Sequence, residues 1–118
     1  MIFIANVLVA VVAALHVYFL ILEMFLWTRP LGLKTFRNSI EKATESAVLA
    51  ANQGLYNGFL AAGLLWGLFS AAAFEFELFF LSCVIVAGIY GGLTSSRKIL
   101  WVQALPGLVA LGLVLLSR

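Results

Sequence analysis

The fold is decided by residues 2–27, which read IFIANVLVAVVAALHVYFLILEMFLW. This stretch is apolar apart from the strongly polar side chains of Asn6, His16 and Glu23. A membrane-spanning helix needs about 20 residues of this character, because each residue advances the helix by about 1.5 Å. The sequence therefore predicts a helix that crosses a bilayer.

His16 and Glu23 lie on one face of this helix. Their spacing in the sequence leaves them about 20° apart around the axis and about 10 Å apart along it. An ionisable group in hydrocarbon costs at least about 2.5 to 3.5 kcal/mol. We therefore expect this face to be turned toward protein or water, and the rest of the chain to enclose it.

The composition points to an integral membrane protein. Of the 118 residues, 64% are apolar and only 10% are charged, and the mean hydropathy is +1.14. A soluble domain has about 25% charged residues. We expect a single membrane domain over residues 1–118. Cys83 is the only cysteine, so no intramolecular disulfide can form.

Four membrane spans are predicted from the apolar stretches. They cover about residues 2–27, 47–69, 76–93 and 99–116. The expected fold class is thus an all-α, integral membrane four-helix bundle. Because apolar sequence begins almost directly after Met1, the first span is expected to be a retained helix rather than a signal peptide.

Two prolines are expected to shape the ends and the bends of these spans. Pro30, with Gly32 loosening the turn, ends the first span. The polar segment 34–46 is predicted to form an interfacial turn or two, capped by Ser39 and leading into the second span. Pro106 removes one backbone hydrogen bond, which predicts a kink near Gln103.

Lysine and arginine residues indicate the orientation of the chain. The first and third predicted loops hold Arg29, Lys34, Arg37, Lys42, Arg97 and Lys98. The opposite side holds only Arg118. By the positive-inside rule both termini lie on the non-cytoplasmic side of a bacterial inner membrane, and the protein is multi-pass. The net charge of +2 is explained by this placement and does not indicate a nucleic-acid partner.

Several polar side chains converge at one depth of the predicted bundle. They are His16, Glu23, Asn52, Gln53, Tyr56, Asn57 and Gln103. Most share one level near the predicted cytoplasmic ends of the spans, while Asn57 lies slightly deeper and His16 lies near the midplane. This convergence predicts a ligand-binding pocket in the cytoplasmic half of the bundle.

Each of these residues also has a purely structural interpretation. His16 could tether a neighbouring helix, and Glu23 could reach water or pair with a basic residue such as Arg29. The amides could be interhelical hydrogen bonds worth about 0.6 to 2 kcal/mol each. A bundle this small needs few such bonds, which favours a pocket.

Three pairs of glycines have the spacing of close helix contacts. They are Gly54 with Gly58, Gly63 with Gly67, and Gly88 with Gly92. Such pairs let two helix backbones approach each other. They predict packing within the chain or a homodimer through the glycine-rich faces of the second and third spans.

Four motifs together resemble a known family. They are H-x6-EMFLWTRP at 16–30, LAANQGLYNGFLAAGLLWG at 49–67, CVIVAGIYGGLT at 83–94 and VQALPGLVAL at 102–111. The combination resembles small bacterial four-helix membrane proteins known only as a domain of unknown function. The resemblance covers nearly the whole chain and implies a four-helix membrane fold, but it implies no activity, substrate or cofactor.

Standard chemical signatures are missing from the sequence. There is no HExxH motif, cysteine cluster or phosphate-binding glycine loop, and His16 and Glu23 lack the spacing of two ligands that share a metal. No metal is expected and no cofactor is indicated. A second carboxylate for acid–base chemistry is also missing, because the other glutamates are assigned to interfaces or loops. They are Glu41, Glu45, Glu75 and Glu77.

Three functional hypotheses follow. The favoured one is a protein that binds or transports a small molecule, with Glu23 as the protonatable or cation-attracting group and the amides orienting the ligand. The second is a membrane-embedded enzyme that acts on a lipophilic substrate such as a quinone or an isoprenoid, with His16 and Glu23 transferring protons. The third is a structural or assembly subunit of a membrane complex. The expected partners are the lipid bilayer, a small-molecule ligand and a second copy of the chain.

Overall fold

The computed structural model describes residues 1–117, and these are all-α. The elements are α1 (Ile2–Met24), α2 (Pro30–Phe36), α3 (Ile40–Leu68), α4 (Ala73–Thr94), a π-helical segment (Leu100–Ala104) and α5 (Leu105–Leu116). No β-strand occurs within this described range. The predicted all-α class is confirmed, while Arg118, used above for orientation, lies outside the described residues.

Two helices, α1 and α4, are long and apolar enough to cross a bilayer. Their length and composition suggest association with a membrane. The long helix α3 carries the amides of Asn52, Gln53 and Asn57, and the last apolar stretch, Leu100–Leu116, is shorter. The arrangement of four spans stays a prediction.

The chain divides into two compact units. The central unit comprises residues 16–59, and the terminal unit comprises residues 1–15 together with residue 60 onward. α1 and α3 each supply residues to both units. The prediction of a single membrane domain stays a prediction.

The terminal unit has one apolar core to which four helices contribute. Its buried residues include Ala5 and Val9 of α1, Ala61 and Leu64 of α3, Leu81 and Val84 of α4, and Ala110 and Val114 of α5. Spacings of three or four residues place each pair on one side of its helix. Many of these side chains are small, which allows the close packing that holds helices together in lipid.

Glycines bring the helices of the terminal unit close together. A Cβ atom added at Gly88 would lie 2.8 Å from the backbone nitrogen of Ala104. A Cβ atom added at Gly63 would collide with the ring of Phe80. The close packing predicted from these glycines therefore occurs within the chain.

The stretch before Pro106 is π-helical rather than α-helical. The N–H of Leu105 donates to the carbonyl of Leu100, one residue further back than in an α-helix. Pro106 has no N–H with which to continue the α-helical pattern. A π-helical segment thus lies where the sequence predicts a kink, near Gln103.

The segment after α1 contains a helix that the sequence analysis did not predict. α2 begins at Pro30, a residue suited to the first helical turn because the N–H groups there have no partner in the helix. Arg29 before it is extended, as expected ahead of a proline. α2 ends at Phe36 and is capped by Arg37, which has a φ of 54° and donates its N–H to the carbonyls of Leu33 and Lys34.

Gly32 lies inside α2 and is buried, so the prediction that it loosens a turn is wrong. A Cβ atom added there would collide with the carbonyl oxygen of Leu26, so α2 packs directly on the turn that follows α1. In the same region Trp27 Nε1 donates to Ser46 Oγ at 3.1 Å, and its ring centroid lies 4.8 Å from that of Phe36.

The predicted cap at Ser39 is confirmed. Ser39 Oγ accepts a hydrogen bond from the N–H of Lys42 at 3.2 Å, and α3 begins at the next residue. α3 then runs without a break for 29 residues. The predicted interfacial turns and the second predicted span therefore form one helix.

Candidate functional site

Glu23 and Asn57 meet in the central unit. Asn57 Nδ2 donates a hydrogen bond to Glu23 Oε1 at 2.6 Å. Glu23 lies at the end of α1 and Asn57 lies within α3, so the bond joins two helices. Both side chains are half-buried. These are the two predicted site residues that the structure places in direct contact.

Gly54 makes this contact geometrically feasible. A Cβ atom added at Gly54 would lie 3.1 Å from Glu23 Cβ, and one added at Gly58 would lie 2.7 Å from Leu20 Cδ1. Because Gly54 precedes Asn57 by about one turn, the same turn of α3 provides the space for Glu23 and the amide that binds it. The predicted pairing of Gly54 with Gly58 thus serves packing within the chain.

His16 is fully buried, with 0% of its surface exposed. Its ring packs edge-to-face on Phe19, with a centroid distance of 5.2 Å and an interplanar angle of 68°. It precedes Glu23 by about two turns of α1, on the same side of the helix. His16 is therefore an interior side chain that its surroundings hold in place.

Three predicted site residues of α3 lie on its exposed surface. Tyr56 is 63% exposed, and Asn52 and Gln53 are exposed as well. Asn52 Nδ2 donates to the carbonyl of Val48, one turn back in the same helix, at 2.9 Å. Within the described chain, the hydrogen bond to Glu23 comes from Asn57 and from none of these three.

Gln103 belongs to the terminal unit. Its Nε2 donates to the carbonyl of Val84 in α4 at 3.1 Å. A carbonyl oxygen has two lone pairs, so this oxygen can accept from Gln103 in addition to its helical partner. The side chain of Gln103 thus links the π-helical segment to α4 by a hydrogen bond.

The described residues offer carboxylate and amide chemistry. Among residues 1–117, no group of three or more His, Cys, Asp or Glu side chains is placed to hold a metal ion. Cys83 is a half-buried free thiol. What the central unit presents is a carboxylate next to an amide donor, which can accept hydrogen bonds, take up a proton or attract a cation.

Glu77 was expected in a loop or at an interface, and the assignment to a loop is wrong. It lies inside α4 and is only 3% exposed. It falls on the same stripe as Leu81, Val84 and Gly88, which are also buried. Glu75 lies on the exposed side. The spacing of four residues from Glu77 to Leu81 is the signal that could have identified it.

Comparison with known proteins identifies the family. Residues 10–115 match the family described as "Protein of unknown function (DUF1304)". The chain is 33% identical over 115 residues to "Uncharacterized protein YpaA" of Lactococcus lactis subsp. lactis (strain IL1403), an alignment that covers 94% of this chain and 95% of the relative. No solved structure matches the chain. The chain therefore belongs to the DUF1304 family, as the resemblance in its motifs implied.

Proposed function

We propose that this protein binds or transports a small molecule across a bacterial cell membrane, with Glu23 as the protonatable group. The observation that carries the proposal is the 2.6 Å hydrogen bond from Asn57 Nδ2 to Glu23 Oε1. A carboxylate in an apolar helix is costly and usually has a functional reason. Because its partner is a neutral amide, the negative charge of Glu23 is oriented without being neutralised.

The proposed topology has four helices crossing the inner membrane with both termini outside. It is supported by the apolar character of α1 and α4 and by the basic residues between positions 29 and 42. Basic residues are retained on the cytoplasmic side. In this topology Glu23, at the end of α1, belongs to the cytoplasmic half of the membrane.

The proposed ligand is a small molecule that carries a positive charge or several hydrogen-bond donors. A carboxylate offers about four acceptor positions, and the bond from Asn57 occupies one of them. A proton competes with such a ligand for the same oxygens. This competition is the simplest way in which a single carboxylate couples ligand binding to proton movement.

The proposed active form is a homo-oligomer. Four helices enclose too little space for a wide aqueous path, so a transporter of this size needs a second copy. The glycine pair of α3 at Gly54 and Gly58 already packs against α1 within the chain. The exposed polar residues Asn52, Gln53 and Tyr56 are therefore the better candidates for the contact between copies.

The hydrogen bond also favours one alternative, a structural or assembly subunit. In that case Glu23 and Asn57 serve only to join α1 to α3, and no small molecule binds. Substitution of Glu23 by glutamine distinguishes the two functions. Glutamine can still accept the hydrogen bond from Asn57, so the joint between α1 and α3 is kept, but the charge that would bind a ligand is lost.

We expect Glu23→Gln to lose a bound small molecule while keeping its fold and oligomeric state. The measurement is native mass spectrometry on protein extracted gently from membranes, with identification of any co-purified molecule. Glu45→Gln is the matched control, because it removes the same charge from an exposed position of α3. Wild type and Glu45→Gln should carry a discrete mass that is missing from Glu23→Gln.

Other results would reassign the function. Wild type and Glu23→Gln that both lack a ligand and share one oligomeric state would contradict a tight site at Glu23. Loss of the oligomer in Glu23→Gln, without a ligand in the wild type, would support the assembly subunit. A bound molecule that wild type converts chemically and Glu23→Gln does not would support the enzyme hypothesis.

A further inference from the structure

A polar cavity lies within the terminal unit and has a volume of about 360 Å³. Its wall is formed by one end of each of four helices, α1, α3, α4 and α5. Its polar lining residues are Asn6, Glu77 and Ser117, and apolar ones include Ile2, Leu68 and Phe74. Small-molecule sites usually have volumes of about 300 to 1,000 Å³. The cavity is therefore large enough for a compact ligand.

The buried carboxylate of Glu77 is an unusual group in the lining of such a cavity. It is 3% exposed, and its Oε1 has no hydrogen-bond partner among the described residues. Its side chain lies beside α3, since a Cβ atom added at Gly67 would lie 3.7 Å from Glu77 Cγ. Buried carboxylates are almost always paired. This oxygen, which has no hydrogen-bond partner among residues 1–117, is available to a ligand that enters the cavity.

The other polar groups of the cavity define the chemistry of that partner. Ser117 Oγ donates its hydrogen to the carbonyl of Val114 at 3.0 Å, so it can only accept from a ligand. Glu77 is also an acceptor when ionised, while Asn6 can accept or donate. Among residues 1–117, the cavity thus has an excess of acceptors, one carboxylate and a largely apolar remainder.

We propose that the Glu77 cavity binds a primary ammonium group that carries a short apolar tail. An ammonium has three N–H donors and no acceptor, which matches a carboxylate and a hydroxyl that both accept. Phe74 adds an aromatic side chain to the lining, a residue type that attracts cations. Calcium fits less well, because it takes six to eight oxygen ligands.

Two kinds of molecule carry a primary ammonium group of this chemistry. One is a free alkylamine, and the other is the headgroup of phosphatidylethanolamine. The proposal is independent of the function proposed for Glu23, because Glu23 belongs to the central unit and the Glu77 cavity belongs to the terminal unit.

The test measures protection of Glu77 from a carboxyl-reactive reagent in the full-length protein. The protein is placed in phosphatidylcholine nanodiscs and treated with dicyclohexylcarbodiimide. Loss of the unmodified peptide that contains Glu77 is followed by mass spectrometry, so that the acylurea and any amide or ester formed with added amine or alcohol all count as labelling. Hexylammonium is the probe and hexanol is its neutral control. We expect hexylammonium to slow the labelling of Glu77 about tenfold, the effect of roughly one charge-assisted hydrogen bond, and hexanol to leave it unchanged.

Matched variants test the same site by direct titration with hexylammonium. Glu77→Gln should weaken binding about tenfold or more, while Glu75→Gln, an exposed glutamate of the same helix, should bind like wild type. Glu77→Met removes an unpaired buried carboxylate, so it should fold at least as well as wild type and still fail to bind. Its thermal unfolding separates loss of the site from loss of the fold.

The outcomes distinguish the lipid headgroup from a free amine, and they include results that would overturn the proposal. Protection of Glu77 in phosphatidylethanolamine nanodiscs without added amine would identify the lipid headgroup, and protection only by hexylammonium would identify a free amine. Equal protection by hexanol, or equal binding by wild type and Glu77→Gln, would overturn the proposal. Neither of these overturning results bears on ligand loss in Glu23→Gln.

Discussion

Gly32→Ala is expected to destabilise the protein by about 1 to 3 kcal/mol, the range for inserting a methyl group where no space exists. A Cβ atom at this position would lie 2.8 Å from the carbonyl carbon of Leu26. That neighbour is backbone, so it cannot rotate away as a side chain could. The measurement is thermal unfolding in detergent, followed by the fluorescence of nearby Trp27. Trp66 and Trp101, which are 70% and 69% exposed, are replaced by phenylalanine to isolate this signal.

The matched control for this substitution is Gly112→Ala in α5. A Cβ atom added at Gly112 has no neighbouring heavy atom within 4 Å. Alanine is favoured over glycine in a helix by about 1 kcal/mol, so this variant should unfold at the wild-type temperature or slightly above. A Gly32→Ala protein as stable as Gly112→Ala would contradict the close contact of α2 with the turn after α1.

Asn57→Leu is expected to destabilise the protein by about 1 to 3 kcal/mol, because it leaves a half-buried carboxylate without its hydrogen-bond donor. The affected bond is the one from Asn57 Nδ2 to Glu23 Oε1. Glu23→Gln should have a much smaller effect on stability, since the glutamine oxygen still accepts. Thermal unfolding of both variants and of the double variant measures the coupling between the two side chains.

The coupling separates a specific hydrogen bond from general effects of adding leucine. We expect the cost of Asn57→Leu to fall when Glu23→Gln is already present, with a coupling free energy of about 0.5 to 3 kcal/mol. Asn52→Leu is the control, because Asn52 is exposed and bonds only to the carbonyl of Val48. Additive effects in the cycle, or an equal loss for Asn52→Leu, would show that the bond contributes little.

The long helices could be predicted from the sequence because their apolar runs are long and are separated by polar segments. The start of α3 could be predicted from Ser39, a residue whose side chain caps a helix locally. α2 could not, because its few residues contain no repeated apolar pattern and its position depends on the close approach of Gly32 to Leu26. Such a contact between separate segments leaves no periodic signal in either one.

The candidate site was predictable as a set of polar residues but not as a pair. Glu23 stood out because it interrupts an apolar helix, whereas four amides competed to be its partner. Which amide reaches it depends on the rotation of α3 about its own axis, and that rotation places Asn57 toward Glu23 and leaves Asn52 and Gln53 exposed. The burial of Glu77 escaped prediction because a carboxylate at the start of a predicted span favours an interface, and its place on the buried side of α4 depends on how the helices pack.

The π-helical segment allows one turn of helix to make two different contacts at once. Gln103 donates to the carbonyl of Val84, and the adjacent Ala104 packs against Gly88. Consecutive residues of an α-helix point about 100° apart, so a regular turn would direct only one of them at α4. The wider turn brings neighbouring side chains closer in direction. The irregular turn before Pro106 thus combines a polar contact with α4 and a small-residue contact with α4 at neighbouring positions.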